Sequence, residues 1–303
     1  MKINVKGYIY HKESESYSDC FDRYGLNTDT NKFAISDGVT NSSFPGIWAD
    51  LLISEFTLKT EKINVAETNY LKLIQSIWFD KVKQISENSS RWVTRKNFID
   101  RRPAFATFVG LHFFNDSGNW IWEASALGDS FLFFIPEMVN NFSLDENEIS
   151  VIHLSSKINF VFDNYPDYFA SYGNGKGEVK TRSGLLCSGT FLLMTDALSE
   201  WFIKENGQAF EIINSWNSHS DFIRSIDKLR LENRLHNDDS AILILNISND
   251  GKPEINYQVA HFDNISELTA NEIQEEEKTG EPKAISQSET DFKSEESLES
   301  GEI

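Results

Sequence analysis

Asp37, Asp129, Asp196 and Asp238 each stand where a short apolar run begins or ends, beside a small or polar neighbour. Asp37 closes KFAIS and precedes Gly38, and Asp129 lies between Gly128 and the run SFLFFI. Asp196 follows FLLMT and precedes Ala197, while Asp238 and Asp239 lead directly into SAILILNI. Asp19, in SYSDCF, lies upstream of the first of these runs. Taken singly, an aspartate at a strand end makes an Asx-turn or caps a helix. Taken together, converging strands would gather carboxylates that repel one another and are costly to bury. Hard divalent cations remove that cost, because Mg²⁺ and Mn²⁺ favour oxygen ligands and keep several of their waters. The chain has two cysteines, Cys20 and Cys187, and no Cys/His spacing suited to zinc. The chemistry these residues could do is therefore that of an all-oxygen, two-metal centre, and convergence is what the fold must supply.

The elements around them read mostly as strands. Ile3–Tyr10 alternates, and Phe33–Ser36, Ala104–Phe114, Trp120–Ala126, Ser130–Ile135, Phe191–Thr195, Ala241–Ile247 and Ile255–His261 are short apolar or aromatic runs bounded by turn formers. Two segments have helical spacing: Ile47, Leu51, Leu52 and Phe56 form one stripe, and Leu71, Ile74, Trp78, Val82 and Ile85 another. Further helices are expected after TDALSEWF and over about 220–231. Trp78, Trp201 and Trp216 fall on apolar helical faces and are expected in the core. Strands, two helices, more strands, helices and strands again is not βαβ alternation. It predicts an α+β design of mainly antiparallel sheets covered by helices.

The 303 residues carry a net charge of −19, which argues against a nucleic-acid surface and against docking on an anionic membrane. Positions 267–303 hold twelve acidic residues and three lysines, with few apolar ones. Such a segment cannot offset its ordering entropy, so the expected division is a folded domain over 1–264 and a disordered acidic tail over 265–303. The N-terminus MKINVKGYIYHK alternates like a strand rather than forming the apolar core of a signal peptide, and no run reaches the ~18 apolar residues of a membrane span. A reducing, cytoplasmic setting is the expectation.

In this order, FAISDGV, ALGDSFLFF, FLLMTDALSEW and NDDSAILIL resemble the motifs of the metal-dependent type 2C Ser/Thr protein phosphatases, the PPM family, and most of all its bacterial branch. Gly7 and His11 of KGYIYHK fit the Gly and His that precede the first acidic motif there, and AFATFVGLHF resembles the family's threonine strand. The resemblance spans roughly Asn4 to Ile247. It implies a four-layer α-β-β-α sandwich of two antiparallel sheets flanked by helices, and two Mn²⁺ or Mg²⁺ ions with room for a third. It also implies hydrolysis of phosphoserine or phosphothreonine by a water bridging the metals. Asp37 would bridge the two metals, with the Gly38 carbonyl reaching one of them. Asp196 and Asp238 would complete the first metal, Asp129 would serve the third, and Asp19 would belong to the first acidic motif. Asp238 is preferred to Asp239 by the register of the following strand.

Three departures from the family pattern stand out. Ser18 precedes Asp19 where an acidic residue or Gln is usual, Ala197 stands in place of a glycine, and no arginine lies upstream of Asp19. His11 or Lys12 would then take the substrate phosphate, and an exposed polar strand end is an equal reading of both. The resemblance implies a phosphoprotein substrate, a cognate Ser/Thr kinase and a monomer. The competing reading is a catalytically weak or inactive phosphatase-like module that binds phosphoproteins. A carboxylate-rich Ca²⁺-binding β protein is a third. The turn at Asn174–Gly175 is read as a flap near the substrate.

Overall fold

The computed structural model describes residues 1–137, 151–157, 160, 162 and 166–279. The chain begins with strands β1 (Lys2–Tyr10), β2 (Arg23–Asn27) and β3 (Lys32–Ser36), followed by helices α1 (Pro45–Leu58), α2 (Thr68–Asn88) and α3 (Trp92–Ile99). It continues through β4 (Phe105–Ala106), β5 (Phe108–Asp116), β6 (Asn119–Leu127), β7 (Phe131–Pro136), β8 (Ile152–Leu154), β9 (Phe169–Ala170), β10 (Lys180–Leu185) and β11 (Gly189–Met194). Helices α4 (Asp196–Glu205), α5 (Gly207–Ser215) and α6 (His219–Leu231), strands β12 (Ser240–Ser248) and β13 (Asn256–Phe262), and helix α7 (Ile265–Thr279) complete it.

Two large sheets result, one ordered β13-β1-β12-β11-β7-β8 and the other β10-β6-β5-β3-β2, beside a small two-stranded one, β4-β9. The alternating faces of β1, β3, β5, β6, β11 and β12 meet in a core that includes Val5, Phe33, Leu111, Trp122, Phe191 and Leu243. The outer face of the six-stranded sheet is covered by α4, α5 and α6 through Trp201, Phe202, Trp216 and Phe222. The other sheet is covered by α1 and α2 through Trp48, Leu52, Phe56 and Trp78. This is the four-layer α-β-β-α sandwich. Burying the seven aromatic side chains named under the helices contributes on the order of 10 kcal/mol before entropy is counted.

Details depart from the expectation. One pair, β1 with β13, is parallel and carries a bulge between Val5 and Lys6. The run AFATFVGLHFF is split at Thr107. Cys20 is buried, but Cys187 is exposed, and both are free thiols. The segment from 265 on does not begin as unstructured chain: Ile265–Thr279 is helix α7. Asn264 caps it, its Oδ1 accepting the amides of Ser266 at 3.0 Å and Glu267 at 3.4 Å. Ile265 and Leu268, one turn apart, pack against the core between the sheets. Two apolar anchors and a cap outweigh the acidic composition over this stretch. The remainder of the expected tail, 280–303, lies outside the described residues.

Candidate active site

Strand register brings the aspartates together. In the five-stranded sheet Arg23 pairs with Ser36, so one step further Asp22 faces Asp37. The β3–β5 register, Ile35 with Val109, continues to Asp37 opposite Thr107. In the six-stranded sheet Met194 pairs with Phe131, which continues to Asp196 opposite Asp129. Met194 also pairs with Ile242, so the start of β12, just after Asp238 and Asp239, lies beside Asp196. All these positions lie at one end of the sandwich, and Thr195 joins the sheets by donating its hydroxyl to Asp22 Oδ2 at 2.8 Å.

The local chain fixes each backbone. The Asp37 amide donates to Thr107 Oγ1 at 3.1 Å, and the Thr107 amide donates to the Asp37 carbonyl at 2.9 Å. Thr107 Oγ1 in turn lies 2.7 Å from Ser130 Oγ, next to Asp129. Gly38 is pressed against the first turn of α1, where an added Cβ would lie 2.9 Å from the Pro45 carbonyl carbon. Gly128 has a φ of +105° and would drive a Cβ to 2.6 Å from Thr107. Both glycines therefore let the strand ends close on the site.

Asp22 is 1% exposed and Asp129 4%, whereas Asp37 and Asp196 are half-buried and Asp238 is exposed. Burial pushes the Asp37 carboxyl well above the ordinary carboxylate range, and Asp22, Asp196, Asp129 and Asp238 push it further. Asp22 is raised by burial, then by Asp239 and Asp196, against the opposing hydrogen bond from Thr195. Burial, Asp129 and Asp238 bring Asp196 up to about 8. No lysine or arginine is among the leading influences on these three groups. The donor set is thus crowded and all-oxygen, with no cation among the leading influences on Asp22, Asp37 and Asp196, which fits hard divalent metals.

Asp19 stands apart: it is exposed, and its Oδ2 accepts from Ser16 Oγ at 2.8 Å. The aspartate at the junction with Asp37 is Asp22. Among the adjacent pair before β12, Asp239 is turned inward and its carboxylate is used by backbone, accepting the amides of Phe21 at 2.8 Å and Lys12 at 3.1 Å. Asp238 is the one whose charge acts on both Asp37 and Asp196. His11 is buried, its Nδ1 2.8 Å from the Lys12 carbonyl and its Nε2 3.8 Å from Glu272 on α7. Lys12 Nζ pairs with Glu15 at 3.2 Å.

Arg230 is a further residue of the site's frame. It is buried on α6 and donates to the carbonyls of His11 at 3.0 Å and Asp238 at 2.6 Å, holding two loops at the rim. Across the site, the strand containing Phe169 bonds to β4, the Tyr168 and Lys176 backbones pair, and Ser156 donates to Asp167 Oδ2 at 3.0 Å. A Cβ on Gly128 would meet the Asp167 carbonyl oxygen at 2.8 Å, so the segment bearing the Asn174–Gly175 turn is rooted beside Asp129.

No protein-family model matches this chain, and no curated protein matches it. Among solved structures it is similar to the serine/threonine phosphatase Stp1 from Staphylococcus aureus, with 13% identity, coverage of 80% of this chain and 94% of that one, and a TM-score of 0.52. It also matches PppA of Pseudomonas aeruginosa, described as a key regulatory component of T6SS, at 12% identity, 81% and 98% coverage and a TM-score of 0.47. The S. agalactiae serine/threonine phosphatase matches at 11% identity, 81% and 100% coverage and a TM-score of 0.46. The sandwich seen here and the likeness to Stp1 agree with the motif resemblance: this chain has the fold of the bacterial type 2C Ser/Thr phosphatases.

Proposed function

We propose that the protein is a metal-dependent protein phosphatase that hydrolyses phosphoserine or phosphothreonine. The observation that carries the reading is the convergence of Asp22, Asp129, Asp196 and Asp238 around Asp37, whose carboxyl all four push up, with no cation among the leading influences on Asp22, Asp37 or Asp196. Asp37, Asp22, Asp196 and Asp238, with the Gly38 carbonyl, would hold two Mn²⁺ or Mg²⁺ ions, and Asp129 would serve a third; Asp22 takes the part expected of Asp19. Ions there would supply an acidified water as nucleophile and charge to neutralise phosphoryl oxygens. The chain's own residues orient and exclude. The Thr107 and Ser130 hydroxyls fix the Asp37 and Asp129 strand ends, Arg230 fixes the Asp238 loop, and the 166–179 segment, rooted beside Gly128, would flank a bound substrate. No cysteine or serine triad is needed in such a scheme. Release of phosphate from a phosphothreonine peptide, dependent on added Mn²⁺, is the test.

The second reading, an inactive phosphoprotein-binding module, is favoured by one observation: His11 and Lys12 are both engaged by neighbours rather than presented to a phosphate. Tight Mn²⁺ binding by calorimetry without turnover of any phosphosubstrate would select it. A kinase partner and a cytoplasmic setting belong to the first reading as proposals; among the described residues, no helix is long and apolar enough to cross a membrane.

A further inference from the structure

Beyond the aspartate centre, one cluster has the chemistry of a different kind of site. The β1–β13 bulge shifts the pairing so that His261 faces Lys6, and Asp263 follows two residues later. Residues i and i+2 of an extended chain share a face, and bulges re-aim side chains in this way. Asp263 is pinned to β1, its amide donating to the Gly7 carbonyl at 3.1 Å and its Oδ2 accepting the Ile9 amide at 3.1 Å. His219, the first residue of α6, reaches the same carboxylate from the helix layer. Its Nδ1 lies 2.7 Å from Asp263 Oδ2, and His261 Nε2 lies 2.7 Å from Asp263 Oδ1.

We propose that His219, His261 and Asp263 form a second metal site, separate from the aspartate centre, that takes an imidazole-seeking divalent cation, Zn²⁺ first. The three donor atoms lie within 4.8 Å of one another. A tetrahedral zinc with bonds of about 2.0–2.2 Å holds its ligands roughly 3.3–3.5 Å apart, between the present 2.7 Å contacts and that outer limit. Two imidazoles and one carboxylate are a borderline donor set that favours zinc over Mg²⁺ or Mn²⁺, the reverse of the aspartate centre.

The surroundings match what such ligands require. The Asp263 side chain is 4% exposed, and its ion-pair partners are the two histidines rather than any lysine or arginine of the described residues. His219 and His261 are about a quarter exposed, which leaves an entry path from solvent. The outer nitrogen of His219, Nε2, lies 3.0 Å from the Tyr17 hydroxyl. A phenol can accept as well as donate, so it can receive the Nε2–H of the tautomer whose Nδ1 binds metal. The His261 ring stacks on Tyr8 with centroids 4.7 Å apart, which holds its plane. A metal here would tie β1, β13, α6 and the loop carrying Tyr17 into one unit, five residues from Asp22.

The test uses the full chain, stripped with chelator and titrated with Zn²⁺ in excess Mg²⁺. One zinc with imidazole scattering in its X-ray absorption spectrum is expected, together with a Tm that rises with zinc concentration. His219→Gln and His261→Phe, the latter keeping a ring against Tyr8, should each weaken that zinc by roughly tenfold or more, and Tyr17→Phe by about tenfold. Asp37→Asn should leave it unchanged. Zinc uptake unaffected by both histidine substitutions, zinc uptake lost in Asp37→Asn instead, or a Tm indifferent to zinc would each overturn the proposal, and none of them bears on phosphatase activity.

Discussion

Asp37 and Thr107 are joined twice, the Asp37 amide on Thr107 Oγ1 at 3.1 Å and the Thr107 amide on the Asp37 carbonyl at 2.9 Å. This pairing continues the β3–β5 ladder one step past the end of β3 and fixes the backbone that carries the Asp37 carboxylate. Thr107→Val keeps shape and burial but removes the hydroxyl that serves Asp37 and Ser130. It should cost about 1–3 kcal/mol in denaturant unfolding, and it should lower turnover more than substrate binding.

Without metal the carboxylates oppose one another, and the sign of the pH dependence follows. Asp196 and Asp37 have folded-state pKa values raised above their ordinary range, Asp196 to about 8. The native state therefore binds more protons than the unfolded state between about pH 4 and 8, and stability falls as pH rises through that window. The chelator-treated protein should lose several degrees of Tm between pH 5 and pH 8. Saturating Mn²⁺ should flatten the profile. A metal-free Tm that climbs over that range contradicts the crowded-carboxylate picture.

Asp238 and Asp239, adjacent in sequence, should separate cleanly on substitution. Asp239→Asn keeps one oxygen acceptor but disturbs the two amides held by the carboxylate, so it should cost about 1–3 kcal/mol of stability. Asp238→Asn, exposed at the cluster, should leave unfolding nearly unchanged while weakening Mn²⁺ by tenfold or more in calorimetry, a figure of the order seen for ligand-shell losses.

The candidate site was legible where an aspartate abuts a strand the eye can find. Asp37, Asp129, Asp196 and Asp238 border KFAIS, FLFFI, FLLMT and SAILILNI, and register does the rest. Asp22 escaped because its strand, RYGLN, is short, holds a glycine and is half-buried throughout, so it lacks an alternating pattern. The same rule applied to that strand would have chosen Asp22, which directly precedes it, over Asp19. His261 and Asp263 stand two apart in HFD, but the cluster as a whole had no readable spacing, since His219 comes from a different layer. Composition misled at α7, where a count of charges hid the Ile265–Leu268 pair and its Asn264 cap.

That cap is itself open to measurement. Asn264→Ala should cost about 1 kcal/mol, and Leu268→Ala, a half-buried side chain at the edge of the inter-sheet core, about 1–2 kcal/mol in urea unfolding. No change in either variant would mean that α7 does not dock on the domain.

Asp37 lies at the middle of the aspartate cluster proposed as a two-metal phosphatase centre. Phosphate release from a phosphothreonine peptide should be measured across an Mn²⁺ titration for the wild type and Asp37→Asn, with circular dichroism confirming that both are folded. Saturable, Mn²⁺-dependent turnover is expected in the wild type, with a loss of at least roughly a hundredfold in the variant, of the order seen when one transition-state-stabilising group is removed. A folded Asp37→Asn protein with wild-type turnover, or wild-type turnover indifferent to Mn²⁺ and Mg²⁺, would contradict it.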